Sequence, residues 1–265
     1  MNKFQVSSEM REIYKCDGCL HLQAVLKAKN LSKLSADLRP LIPVLNPEAT
    51  DLKGRSTYKK AFTQVTNLWQ KSETIKAFVF RKDLARLAAE IMGVRGVRLY
   101  HDQALFKEAG GGATPWHVDQ VYWPMATANT CTFWIPLQNV NREMGTLSFA
   151  RGSHRVEGGR EMVISDESEA FFSTWVKKQG FNISEDEFEL GDISVHAGWT
   201  VHRAGANLTD LKREVMTIIY MAEDAVLLEK LTPTQLVDRE AFTPGIEYGA
   251  RITTKLNPIL YSAGK

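Results

Sequence analysis

The chain has 265 residues, 44% apolar and 24% charged, close to the averages for globular proteins and long enough to bury roughly 70 to 75% of its unfolded surface. Its 33 Lys plus Arg against 31 Asp plus Glu leave a net charge of +2, too small for a nucleic-acid groove or a membrane-seeking face. The expectation is one domain over 1–265, a monomer or homodimer whose partners are small molecules, with no nucleic acid and no membrane.

The opening stretch MNKFQVSSEMREIYK is charged where a signal peptide needs its apolar core, and no run approaches 18 apolar residues, so a cytoplasmic location is expected. Residues 7–15 read as a helix that Ser7 or Ser8 caps, followed by an Asp17-Gly18 turn. Cys16 and Cys19 form a CxxC with no second pair, and with Cys131 they are too few for a disulfide framework; buried thiols beside a turn are expected. Cys19 to Val25 reads as a strand. Leu26, Leu31, Leu34 and Leu38 mark a helix that ends before Pro40, and 40–56 reads as loop. Phe62, Val65, Leu68 and Trp69 form a short apolar face. Helices follow at 72–80 and from Asp83 to Met92, the second closed by Gly93.

Beyond Gly93 short apolar or alternating runs replace helical spacing: 96–103, 130–136, 146–150, 192–196 and 214–221. A helical part over about 1–93 followed by evenly spaced strands predicts a mainly β fold with flanking helices, a sandwich or jelly roll. An acidic, aromatic-bearing insert at 165–189, with Phe171, Phe172 and Trp175, is long enough for a lid or an edge helix.

Within the β-rich part, Trp116-His117-Val118-Asp119 places an imidazole and a carboxylate two residues apart, hence on one face of a strand. A further histidine would complete the 2-His-1-carboxylate set that leaves open positions on a metal. His101, beside Asp102, and His154, between Arg151 and Arg155, are weaker candidates. His196 and His202 lie in one glycine-punctuated stretch, and spacing alone does not choose between them. Imidazole also suits zinc, and carboxylate also suits manganese.

Several segments together carry a family resemblance: Lys107 before a glycine-rich turn, WHVDQVYWP at 116–124, FWIPLQNV at 133–140, MGTLSFARGSH at 144–154, Gly191-Asp192, and HRAGAN at 202–207 followed by Arg213. The chain resembles the phytanoyl-CoA dioxygenase family of Fe(II)- and 2-oxoglutarate-dependent oxygenases over about residues 8–225. The resemblance implies a double-stranded β-helix, which is a jelly roll, and Fe(II) held by His117, Asp119 and His202. It also implies 2-oxoglutarate anchored by Arg213, with Gln103 and Trp134 lining its site, and dioxygen as oxidant. Where the family often has a serine two residues past the distal histidine, this chain has Ala204, so Thr132, Thr217 or water is expected to supply that hydrogen bond. Arg213 shares one strand face with Val215, Thr217 and Ile219, and its planar fork suits a carboxylate. His154 is given no ligand role, and Asn207 is expected to fix its own turn.

The implied outcome is C–H hydroxylation of a small apolar or aromatic metabolite walled by Tyr122, Trp123, Met125 and Phe133. The same residues permit epimerisation, cyclisation or desaturation in natural-product (antibiotic) biosynthesis; a jelly-roll binding domain without turnover is the alternative of another class. A carboxylate at 119 argues against halogenation, which needs that metal position for halide.

Overall fold

The computed structural model describes residues 4–46 and 62–264. Helix α1 (Ser8–Asp17) starts where Ser7 Oγ accepts from the Met10 amide and ends at Gly18 with φ of 75°, the left-handed conformation a glycine adopts without strain. Strand β1 (Cys19–Leu22) is shorter than expected, since the chain turns at Ala24 with a positive φ of 53°. Of the three free thiols, Cys19 and Cys131 are buried but Cys16 is exposed, which corrects the expectation for that residue.

Helix α2 (Ala28–Leu45) does not stop before Pro40. It runs through Pro40 and Pro43. Leu31, Leu34, Leu38 and Ile42 form a buried stripe at helical spacing, while both prolines lie on the exposed side. The carbonyls they leave unpaired are therefore open to water, and packing of the stripe outweighs the local cost. The rest of the expected loop, 47–56, falls outside the described residues. Helices α3 (Glu73–Val79) and α4 (Lys82–Met92) lie where the sequence places them, and Gly93 closes α4 at φ of 68°.

The strands form two antiparallel sheets among the described residues. The larger runs β1–β8–β5–β10–β3–β11 with β2 also paired to β3, and the smaller runs β4–β9–β6–β7. The first contains β2 (Thr63–Thr66), β3 (Gly96–Lys107), β5 (Thr130–Pro136), β8 (Ile193–Ala197), β10 (Arg213–Ala222) and β11 (Ile259–Ser262). The second contains β4 (Thr114–His117), β6 (Leu147–Ala150), β7 (Ile183–Glu185) and β9 (His202–Ala204). Helix α5 (Asp166–Gln179) lies in the insert, and α6 (Pro233–Phe242) follows the last long strand. The fold is thus mixed α/β, and the flanking helices α1–α4 share one core with the larger sheet. No helix is long and apolar enough to cross a membrane among the described residues.

Every residue of β10 is buried, as a strand covered on both faces requires. Met216, Ile218 and Tyr220 join Cys131, Phe133, Ile135, Ile193 and Val195 in the core shared with α1–α4. Their neighbours Val215, Thr217 and Ile219 take the opposite side, toward the small sheet. Strand β3 changes face at a bulge: His101 pairs with Ile219 but Leu99 with Tyr220. Tyr100 is the extra residue, so Tyr100 and His101 both leave the helical core for the inner side, as a bulge re-aims side chains.

The insert at 165–189 is an edge element. Helix α5 has a Ser165–Ser168 capping box and packs Phe172, Trp175 and Val176 against Trp116, Val118 and Ala150 on the outer side of the small sheet. Glu169 Oε2 accepts from the Trp116 amide at 2.7 Å, and Ser168 Oγ donates to the Trp116 carbonyl at 2.9 Å. The helix braces the strand that carries His117.

Candidate active site

His117 ends β4 and pairs in register with His202, which opens β9. One extra β4 residue lies between that pair and the Thr114–Ala204 pair, a bulge that twists the strand end. Asp119 is not on the strand, as the sequence suggested, but in the bend after it. The bend, not strand alternation, brings its carboxylate back to the histidines.

One ligand atom from each of His117, Asp119 and His202 lies within 4.8 Å of the others. His117 Nε2 is 3.6 Å and His202 Nε2 is 3.8 Å from Asp119 Oδ1, too long for hydrogen bonds and roomy enough for an ion with bonds of about 2.1 Å. Both imidazoles are fixed by one device: Nδ1 faces the carbonyl two residues back, Pro115 at 2.7 Å and Thr200 at 2.9 Å. A carbonyl only accepts, so each Nδ1 carries the proton and each Nε2 presents its lone pair, as a metal requires. Burial, with His117 close by, pushes the His202 imidazole well below its ordinary range and keeps it neutral. Burial would raise the Asp119 carboxyl, but His202, His117 and His196 around it hold it well below the usual carboxylate range.

Asp119 joins the two sheets. Its Oδ1 faces the histidines of the small sheet, while Oδ2 accepts from Thr132 Oγ1 and His196 Nε2, both at 3.2 Å. Thr132 and His196 are register partners on β5 and β8. Of the two histidines that spacing could not separate, His202 joins the three-atom cluster and His196 orients its carboxylate.

The remaining expected residues lie along a cavity of about 530 Å³ between the sheets. Gln103, Thr132, Trp134, Arg213 and Thr217 line it, and Thr217 is level with both Gln103 and Trp134 in the sheet. Arg213 is only 2% exposed. Its guanidinium lies 5.5 Å from the Trp134 ring centre, its Nη1 donates to the Gly145 carbonyl, and its Nε has no protein partner. No acidic side chain pairs with it among the described residues. Lys107, its β10–β3 register partner, donates instead to the carbonyls of Gly112 at 2.7 Å and Gly205 at 2.6 Å. Burial, then the nearby Arg213, pushes the Lys107 amine down to about 6, and burial pushes Arg213 down to about 10. A buried guanidinium without an anion is costly, so this end of the cavity fits a carboxylate-bearing ligand. Thr217 Oγ1 is likewise buried without a partner, whereas the Thr132 hydroxyl is spent on Asp119.

Tyr122 and Trp123 line the same cavity, and Tyr122 Oη accepts from the Ile164 amide at 2.7 Å. Met125 and Phe133 do not: Phe133 points into the helical core, one residue out of phase with Thr132 and Trp134, and Met125 packs with Leu227 and Ile252. Nor do the insert aromatics Phe171, Phe172 and Trp175 reach the cavity. The sequence reading stopped short of α6, which supplies Thr234, Val237, Asp238, Ala241 and Phe242 to the wall. Its signal was present: Thr232 and Gln235 form a capping box around Pro233 in the first turn, a helix-start signature. Asn207 holds its turn as expected, donating to the carbonyls of Lys107, Glu108 and Leu211.

The comparisons with known proteins agree with this geometry. The family model described as Phytanoyl-CoA dioxygenase (PhyH) matches residues 14–215, and the chain belongs to that family. It is an Fe(II)/2-oxoglutarate-dependent enzyme with a 2-His-1-carboxylate-like site. It is 23% identical over 232 residues to the probable alpha-ketoglutarate-dependent hypophosphite dioxygenase of Stutzerimonas stutzeri, covering 82% of this chain and 79% of the relative. Among solved structures, it is similar to the non-heme alpha ketoglutarate-dependent epimerase SnoN from nogalamycin biosynthesis (TM-score 0.78, 25% identity, 96% of this chain and 97% of that one). The carbocyclase SnoK from the same biosynthesis gives a TM-score of 0.78 at 23% identity, with 96% of each chain covered. EctD from S. alaskensis with 2-oxoglutarate and 5-hydroxyectoine gives 0.71 at 19% identity over 93% of this chain and 86% of that one. These likenesses place the fold in the cupin-related superfamily.

Proposed function

We propose that the chain is a single double-stranded β-helix domain in which His117, Asp119 and His202 hold Fe(II) and Arg213 anchors the far carboxylate of 2-oxoglutarate. The observation that carries this reading is the pairing of two lone-pair-presenting imidazoles and a charged carboxylate with a buried, acid-free guanidinium in one cavity. Thr217 donates the hydrogen bond that Ala204 cannot, and Trp134 and Gln103 shape the co-substrate's walls. Bound Fe(II), 2-oxoglutarate and dioxygen together supply oxidative decarboxylation coupled to removal of a substrate hydrogen. The protein orients the substrate C–H bond, excludes water and fixes Asp119 through Thr132 and His196.

For the outcome, the resemblance to an epimerase and a carbocyclase favours inversion or ring closure on a small natural-product-type metabolite over hydroxylation. The cavity's aromatic wall of Tyr122, Trp123 and Phe242 suits an apolar or aromatic body. Assay of the iron-loaded enzyme with candidate metabolites tests this by oxygen uptake, succinate yield and product mass. Epimerisation leaves the mass unchanged and needs two electrons per turnover from an added reductant such as ascorbate, with water as the other product, whereas cyclisation removes two hydrogens from the substrate as water and needs none. A product that gains one oxygen atom returns the assignment to hydroxylation.

A further inference from the structure

The inner side of β3 and β10 is laid out as a line. Lys107 and Arg213 pair at one end, Gln103 and Thr217 in the middle, and His101 with Ile219 further on. Six residues separate Arg213 from Ile219, about 20 Å of strand. Ile219 is also paired with Thr132, the threonine bonded to Asp119. Tyr100, the bulge residue, lies just beyond that layer, on the side away from Arg213.

There α6 closes the wall. Phe242 stacks on His101 with ring centres 4.0 Å apart and planes within 17°, and Phe242 also meets the Tyr100 ring edge-on at 5.4 Å. One turn earlier on the same helix, Asp238 lines the cavity and accepts a 3.1 Å hydrogen bond from Tyr100 Oη. No Lys, Arg or His pairs with Asp238 among the described residues. The adjacent Arg239 is committed to Glu240 and the Ile246 carbonyl, and Arg203, which also lines the cavity, stacks on Trp116 at 4.8 Å. A carboxylate held in one orientation against aromatic and apolar walls is complementary to a cation with an apolar body.

We propose that Asp238 is a substrate-anchoring residue, its Tyr100-held carboxylate receiving the ammonium group of an otherwise apolar or aromatic amine. Burial pushes the Asp238 carboxyl up to about 7, against the Tyr100 hydrogen bond that draws it down; the cation would relieve that cost. The assignment rests on the oxygenase reading for its reaction, but its recognition chemistry is separable from it.

The test uses two probes of matched shape, 2-phenylethylammonium and 2-phenylethanol. Anaerobic protein is first loaded with Fe(II) and 2-oxoglutarate and the weak visible band of their chelate recorded; equilibrium dialysis at pH 8 then gives the affinity for each probe. The wild type should prefer the ammonium by about tenfold, as a charge-assisted hydrogen bond implies. Asp238→Asn and Asp238→Ala should each reduce that preference below twofold, chiefly by weakening binding of the ammonium, with the chelate band still formed. A wild-type preference below twofold, or one kept by either variant, overturns the assignment. A missing band in the wild type defeats the oxygenase reading instead, and the probe comparison is then read on the metal-free protein.

Discussion

His196 and His202 differ in what their Nε2 atoms meet. His202 approaches the inner oxygen of Asp119 at 3.8 Å, a gap wide enough for an ion, whereas His196 sits at 3.2 Å from the outer oxygen, within hydrogen-bond reach. His202→Ala should therefore abolish iron retention after desalting. His196→Ala should retain iron with affinity reduced about tenfold, the usual cost of losing a partner that orients a ligand. Metal analysis against a chelator of known affinity reads both; equal loss in the two variants would contradict the distinction, and a greater loss in His196→Ala would reverse the roles. At Arg213 the guanidinium is buried among Trp134, Gly145 and Lys107 without an acid. Arg213→Ala should weaken 2-oxoglutarate binding roughly 100-fold with iron binding unchanged, measured by titration under nitrogen.

Helix α5 packs behind the strand that carries His117 and shares a cluster with Tyr122 of the cavity wall. Phe172 is fully buried against the aromatic cluster behind Trp116, so Phe172→Ala should cost about 3–5 kcal/mol of stability. Urea denaturation checks this; a loss below 1 kcal/mol would make the insert a loosely held flap. At this scale the sequence is informative where burial is periodic and less so where packing overrides local rules. Apolar spacing located α4, β5 and β10, yet the stripe through Leu38 and Ile42 carries α2 across two prolines that read as a stop. Strands of three or four residues such as β7 and β9 are too short for alternation to register, and their place comes from the sheet. The HxD spacing pointed to residues that the fold does bring together, but strand alternation is not what joins them, because Asp119 reaches the histidines through a bend.

In the described residues two sheets face one cavity, and each contributes to its lining. The small sheet presents His117 and His202, the large one presents Arg213, Trp134 and Thr217, and Asp119, hydrogen-bonded to Thr132 and His196 of the large sheet, turns its other oxygen toward the two histidines of the small one. Residues 101–220 carry motifs dense enough to show this centre in the sequence. The α6 end of the cavity was not legible, since α6 lies outside those motifs and Tyr100 turns inward only because of a bulge. The central claim, one iron held between the sheets beside a 2-oxoglutarate clamp, is tested most directly by an anaerobic optical titration of Fe(II)-loaded protein with 2-oxoglutarate. The wild type should give a saturable weak visible band, absent in His202→Ala, and succinate on admission of air. A wild-type protein that gives neither band nor succinate, or a His202→Ala protein that gives the full band, would contradict that claim.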